Sequence, residues 1–252
     1  MTIIPRVTPA WPHADGPPPL AAGDVHLWLA HVDAWRDCGW DDVLSAQELD
    51  RTARYRRTID RDRGRTGRGL LRRLLAGYLG TSPAAVAIDT DASGKPRLAG
   101  ASTLAFNVSG SADLAVFAFT RGPAVGVDVE AFATEPGAVG KTPLTLRDVH
   151  AMAGRFAADE AALVHGLSAA DATAAFLRLW TCKEACLKCR GTGLRTPLDE
   201  IRIECVDDAR AIGRLAGDRF AIRTLAPVAG SIAAVALPGD AIPEPRCWTL
   251  AR

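Results

Sequence analysis

The chain has 252 residues, 48% of them hydrophobic, and a formal net charge of +1. That length supports one large domain or two small ones with a substantial core, and the charge balance excludes a globally basic nucleic-acid binder. The charge is unevenly distributed: ten arginines crowd positions 51–73 against only Asp60 and Asp62, whereas the whole sequence holds four lysines, Lys95, Lys141, Lys183 and Lys188.

The opening stretch, MTIIPRVTPAWPHADGPPPL, has no charged segment followed by an apolar run, so no secretory signal is expected. Its prolines predict a poorly ordered leader over residues 1–23. No apolar run approaches a membrane span, which predicts a cytoplasmic protein with no membrane partner and reduced cysteines. The alternation of DVHLWLA (24–30) predicts a strand. Ser45 with Glu48 three residues on reads as a capping box, opening a helix to about Arg57. A second helix over 61–79 has Leu70, Leu71, Leu74, Leu75 and Tyr78 on a broad apolar face and arginines on the other. DASGKPRL is expected to be a turn, and TLAFNVS, ADLAVFAFT and AVGVDVE strands. Ser168 or Asp171 opens a long helix that stops near Gly191. Strands return at DEIRIECV, RFAIRTLA and SIAAVALP. This order predicts an α+β fold of two halves, 24–121 and 122–240, with a tail over 241–252.

The long helix carries RLWTCKEACLKCRG (178–191). Its C-x3-C-x2-C spacing occurs in iron–sulfur sites, but at 100° per residue Cys182, Cys186 and Cys189 form one narrow stripe with Ala175 and Leu179. That is how small residues look on a packing face. Zinc is disfavoured as well, because no fourth ligand has local spacing. Glu184 and Lys188, at i and i+4, share the face almost opposite, with Lys183 on the flank. Alone they read as a solvated ion pair. VGVDVE (125–130) changes the balance. Its valines face one side; Gly126, Asp128 and Glu130 face the other. Two like charges about 6.5 Å apart along a strand favour a hard divalent cation between them. Glu184 as third carboxylate, with Lys183 and Lys188 for phosphate oxygens, suits metal-assisted transfer of a phosphate-bearing group. No G-x-x-x-x-G-K-[ST] is present, so a P-loop enzyme is excluded.

VGVDVE followed by FLRLWTCKEACLKCRGTGL (176–194) and TPLDEI resembles the Sfp-type 4′-phosphopantetheinyl transferases. Trp180, Lys183, Glu184, Lys188, Gly191, Gly193 and Leu194 all fit the long motif. GKP (94–96), FNVS (106–109), and Arg155-Phe156 with Glu160 match in order. The resemblance implies a pseudo-twofold α+β fold with the active site between the halves. It implies transfer of phosphopantetheine from coenzyme A to a serine of an apo acyl or peptidyl carrier protein, with release of 3′,5′-ADP. By the same resemblance Asp128, Glu130 and Glu184 hold Mg²⁺, or Mn²⁺ in its place, and Lys183 and Lys188 stabilise the diphosphate. The base is Glu184 or a metal-bound water. Gly94, Lys95 and Pro96 lie along the nucleotide, Arg51 and Arg63 near its 3′-phosphate, and Ser109 in the coenzyme A site.

One position departs from the pattern: the family's F-N-x-S-H-S reads FNVSGS, with Gly110 for the histidine near the 3′-phosphate. Two other readings compete with the active enzyme. One is a carrier-protein or coenzyme A binding module of the same fold without turnover. The other is nucleic-acid binding by the arginine segment, where only Tyr55 and Tyr78 supply stacking surfaces. The expected partner is an acidic carrier protein steered by the arginines, with no nucleic acid. Two halves in one chain predict a monomer.

Overall fold

The computed structural model describes residues 10–91, 94–132 and 144–252. In chain order the elements are β1 (His13–Ala14), β2 (Val25–His31), α1 (Ala46–Ala53), α2 (Thr58–Leu79), β3 (Ile88–Thr90), β4 (Pro96–Leu98), β5 (Leu104–Ser111), β6 (Leu114–Arg121) and β7 (Gly126–Ala131). There follow α3 (Leu146–Ala153), α4 (Ala158–His165), α5 (Ala169–Arg190), β8 (Arg202–Cys205), β9 (Arg210–Leu215), β10 (Asp218–Leu225), β11 (Ser231–Pro238) and β12 (Arg246–Leu250).

Local chemistry sets the helix ends. The Ser45 side chain accepts from the Glu48 amide and Glu48 reaches back to the Ser45 amide, so α1 starts where the capping box requires. It stops at Ala53, four residues short of the expected end. Thr145 and Asp148 repeat the device for α3. The two long helices, α2 and α5, have 22 residues each, and each ends on a left-handed glycine, Gly80 and Gly191. Each half holds a short capping-box helix and a 22-residue helix, with α4 added between them in the second half, which gives the two-part α+β architecture its internal likeness.

Each long helix covers one five-stranded sheet, ordered β1-β12-β2-β6-β5 and β7-β11-β10-β9-β8. Strand alternation builds four layers. Trp28, Ala30, Phe117 and Phe119 face α2, whereas Leu27, Leu29, Val116 and Ala118 face the second sheet. That sheet answers with Val125, Val127, Val129, Ala233 and Val235, and turns Ile232, Ala234 and Ala236 toward α5. Among the described residues no helix is long and apolar enough to cross a membrane.

Two expectations need correction. The leader is packed from residue 10 onward: Trp11 and Leu20 are buried, and β1 pairs with β12. Residues 1–9 of that leader lie outside the described residues. The stretch at 241–252 is no tail; β12 inserts between β1 and β2, parallel to both, and Trp248 stacks on Trp28. The strand is short and pairs with residues more than two hundred positions away, so no local pattern reveals it. β3 and β4 pair as an antiparallel two-stranded sheet, and residues 92 and 93 of the expected turn lie outside the described residues.

Candidate active site

The site forms where β7 meets the last two turns of α5. The valines of β7 are sunk between the sheets, which forces Gly126, Asp128 and Glu130 toward the helix. Gly126 lets the helix come close: a Cβ there would lie 2.0 Å from the Ala185 carbonyl oxygen and 2.3 Å from the Cys189 nitrogen. This contact brings Lys188 down onto Asp128. Lys188 Nζ lies 2.6 Å from Asp128 Oδ1 and donates to Ser109 Oγ at 2.8 Å, and Ser109 Oγ donates to the same carboxylate oxygen at 2.8 Å. One rung along, Ser111 Oγ donates to Glu130 at 2.8 Å and accepts from the Ala131 amide at 3.0 Å. Asn107 Oδ1 accepts from the Val127 amide. Alternate residues of β5 therefore fix the acidic strand of the other half.

Two carboxylate oxygens remain unmatched. Asp128 Oδ2 and Glu184 Oε1 are buried without a hydrogen-bond partner among the described residues. Burial raises the pKa of Asp128, and Lys188 opposes that shift. Burial raises Glu184 as well, and the charge of Asp128 adds to it. Orphaned buried carboxylate oxygens are costly unless a cation meets them. Among the described residues no three His, Cys, Asp or Glu side chains are grouped so as to hold a metal ion, so Asp128, Glu130 and Glu184 are not brought together as the expected three-carboxylate set. The donor set still fits Mg²⁺, which takes one or two protein carboxylates and leaves its other positions to water and substrate phosphate.

Beside this network runs a cleft of about 1290 Å³ between the halves. Ser109, Gly110, Glu130, Arg63, Arg68 and Trp180 are among the residues that line it, whereas Asp128, Glu184 and Lys188 do not reach its lining. Arg63 is held by Asp33 through a bidentate pair at 3.0 and 2.6 Å. That pairing holds the Asp33 carboxyl well below its ordinary pKa. Arg68 faces Glu48 at 3.4 Å through Nε, and its buried Nη1 has no partner among the described residues. The sequence reading nominated Arg63 and missed Arg68, Ser111 and Asp33. An arginine on the apolar flank of the helix, next to glycines 67 and 69, was the available signal for Arg68.

Four of the nominated residues are placed elsewhere, and a fifth departs from its expected role. Lys183 is fully buried: its ammonium pairs with Glu160 at 2.6 Å, donates to the Leu198 and Ile201 carbonyls, and lies 4.9 Å from the centre of the Phe156 ring. With every donor committed inside the protein, it is not brought to the Asp128 network. Arg51 sits in the last turn of α1 and does not line the cleft. Gly94 and Pro96 do not line it either, and Lys95 is turned inward onto backbone carbonyls. The three cysteines of α5 are buried in the core of the second half, and burial pushes their thiols up.

Residues 28–121 match a family described as 4′-phosphopantetheinyl transferase, N-terminal, and residues 124–235 match the 4′-phosphopantetheinyl transferase superfamily. The chain is 34% identical to the 4′-phosphopantetheinyl transferase HetI of a Nostoc species, over 91% of this chain and 93% of that one. The chain belongs to the 4′-phosphopantetheinyl transferases. It is 30% identical to a phosphopantetheinyl transferase of a Thraustochytrium species over 66% of this chain and 62% of that one. A 4′-phosphopantetheinyl transferase of Bacillus subtilis is 27% identical, over 75% of this chain and 74% of its own. Both matched segments carry parts of the candidate site: Arg63, Arg68 and Ser109 fall in the N-terminal one, and Asp128, Glu184 and Lys188 in the C-terminal one.

Proposed function

We propose that this transferase moves phosphopantetheine from coenzyme A to a serine hydroxyl of an acidic acyl or peptidyl carrier protein. The observation that carries the reading is the Ser109–Asp128–Lys188 triangle beside two orphaned carboxylate oxygens, with Ser109 reaching a cleft that Arg63 and Arg68 also line. Asp128 and Glu184, whose free oxygens are buried, would hold Mg²⁺, or Mn²⁺ in its place, with Glu130 as the further carboxylate of the same strand as Asp128. The cation supplies charge neutralisation on the donor's diphosphate when bound.

The chain's own residues do the rest. Arg63 and Arg68 orient the anionic donor along α2, with Arg63 kept rigid by Asp33. The carrier's serine Oγ attacks the phosphorus that bears pantetheine. The phosphoanhydride bond to the 5′-phosphate breaks, and 3′,5′-ADP leaves. A serine hydroxyl needs a base at that moment. Glu184, whose pKa burial raises above the ordinary carboxylate range, takes the proton. Lys188 meets the negative charge that grows on the leaving diphosphate oxygen. The two halves both line the cleft, which supports a monomer as the active species.

Removing one preorganised charge-stabilising group costs on the order of 10²–10³ in kcat. Lys188→Met and Glu184→Gln should each lower kcat for carrier modification by about 10² with the fold intact. Activity within threefold of the parent in either variant would overturn the assignment.

A further inference from the structure

Arginine does the surface work in this chain, and the three described lysines are all drawn inward around α5. Lys188 serves the site and Lys183 the Glu160 pair. Lys95 remains. Its ammonium donates to the Lys188 carbonyl at 2.5 Å, to that of Val125 at 3.3 Å and to that of Cys189 at 3.5 Å.

The identity of these three acceptors is informative. The last four carbonyls of a helix have no intrahelical donor. The amides of Gly191 and Thr192 satisfy Leu187. Lys188 and Cys189 are the next two, and both are met by Lys95 at the negative end of the α5 dipole. Val125 immediately precedes β7. One ammonium therefore ties together the two segments that carry the Lys188–Asp128 ion pair. It also reaches them from the other half of the molecule, from a turn locked by Asp91, which accepts from the Lys95 amide at 2.9 Å and the Gly94 amide at 3.0 Å. Three N–H bonds on a compact tetrahedral head suit three converging carbonyls; a planar guanidinium fork does not.

We propose that Lys95 is a positioning residue: it fixes the last turn of α5 against the start of β7 so that Lys188 meets Asp128 and Ser109. This role rests on the transferase reading and concerns the Lys95 side chain, whose donors are directed at backbone carbonyls.

The test combines steady-state kinetics with amide hydrogen exchange on the parent, Lys95→Met and Lys95→Arg. A misplacement of about 1 Å costs about 10²-fold in rate. Lys95→Met should lower kcat at least tenfold while the KM for coenzyme A stays within twofold. Exchange at Gly191 and Thr192 should quicken at least tenfold. Lys95→Arg keeps the charge but not the three-carbonyl fit, so it too should lose kcat, and it carries the test if the Met variant fails to fold. A raised KM with kcat intact in Lys95→Met, or parental kinetics in Lys95→Arg, would overturn the positioning role. If the parent itself transfers nothing, the functional reading fails, and the exchange rates alone decide whether Lys95 holds the helix end.

Discussion

Replacing Gly126 with alanine probes the contact that assembles the site. The added Cβ would stand 2.0 Å from the Ala185 carbonyl oxygen and 2.9 Å from Cys189 Cα. Both obstacles are backbone of a fully packed helix, so no side chain can swing aside. Ordinary contact begins near 3.4 Å, which requires β7 and α5 to part by about 1.4 Å. Overpacking of a good core costs about 1–3 kcal/mol, and two rigid backbones put this case at about 3 kcal/mol. For a chain of this size that lowers Tm by about 6–12 °C. The same separation pulls Asp128 from Lys188, now 2.6 Å away, and should reduce kcat by about 10². Gly110→Ala is the internal control: its Cβ meets only the Leu114 carbonyl oxygen, at 3.4 Å. Thermal unfolding and carrier modification should separate the two variants cleanly. Equal Tm and equal activity in Gly126→Ala and Gly110→Ala would refute the packing argument.

Three further outcomes are expected. Lys183→Met strands the buried Glu160 carboxylate and should cost about 3–5 kcal/mol in denaturant unfolding, much of it regained by adding Glu160→Gln; a single-variant loss below about 1 kcal/mol would contradict the buried pair. His26, buried against Tyr78 and Trp248, has its pKa lowered from 6.5 to about 4, chiefly by burial. Its folded pKa is depressed, so the folded state resists protonation. Stability is then full above 6.5 and falls as pH drops toward 4, by about 1.4 kcal/mol at about pH 5.5. His26→Gln should flatten that slope between about pH 7.5 and 5.5, and an unchanged slope would exclude His26 as its source. Gly110→His has room to enter the cleft and adds a donor for the anionic substrate. One such bond, about 1 kcal/mol, should lower the KM for coenzyme A about fivefold; an unchanged or higher KM would sink the idea.

Much of the geometry of the candidate site was legible because its signals are local. Alternation in VGVDVE assigned both faces of β7. Ser168 and Gly191 marked the ends of α5, and the cysteine stripe marked its buried flank. Lys183 was misread because a helical wheel shows angles, not neighbours. Glu160 and the carbonyls of Leu198 and Ile201 close over that flank from segments that only the fold brings together. Lys95 was misplaced for the same reason: its partners lie up to 94 residues away. β9 breaks its alternation with Gly213, where Cys186 Sγ leaves no space for a Cβ, and so carries a weak strand signal. β1 and β12 owe their existence to each other and to β2.

The most direct test of the account is the intact mass of an apo carrier protein after incubation with this transferase, coenzyme A and Mg²⁺, with and without EDTA. The account predicts a gain of one phosphopantetheine on the carrier's serine, abolished by EDTA and sharply reduced for Glu184→Gln. No gain across acyl and peptidyl carriers that measurably bind the protein would contradict it and leave a binding module of the same fold.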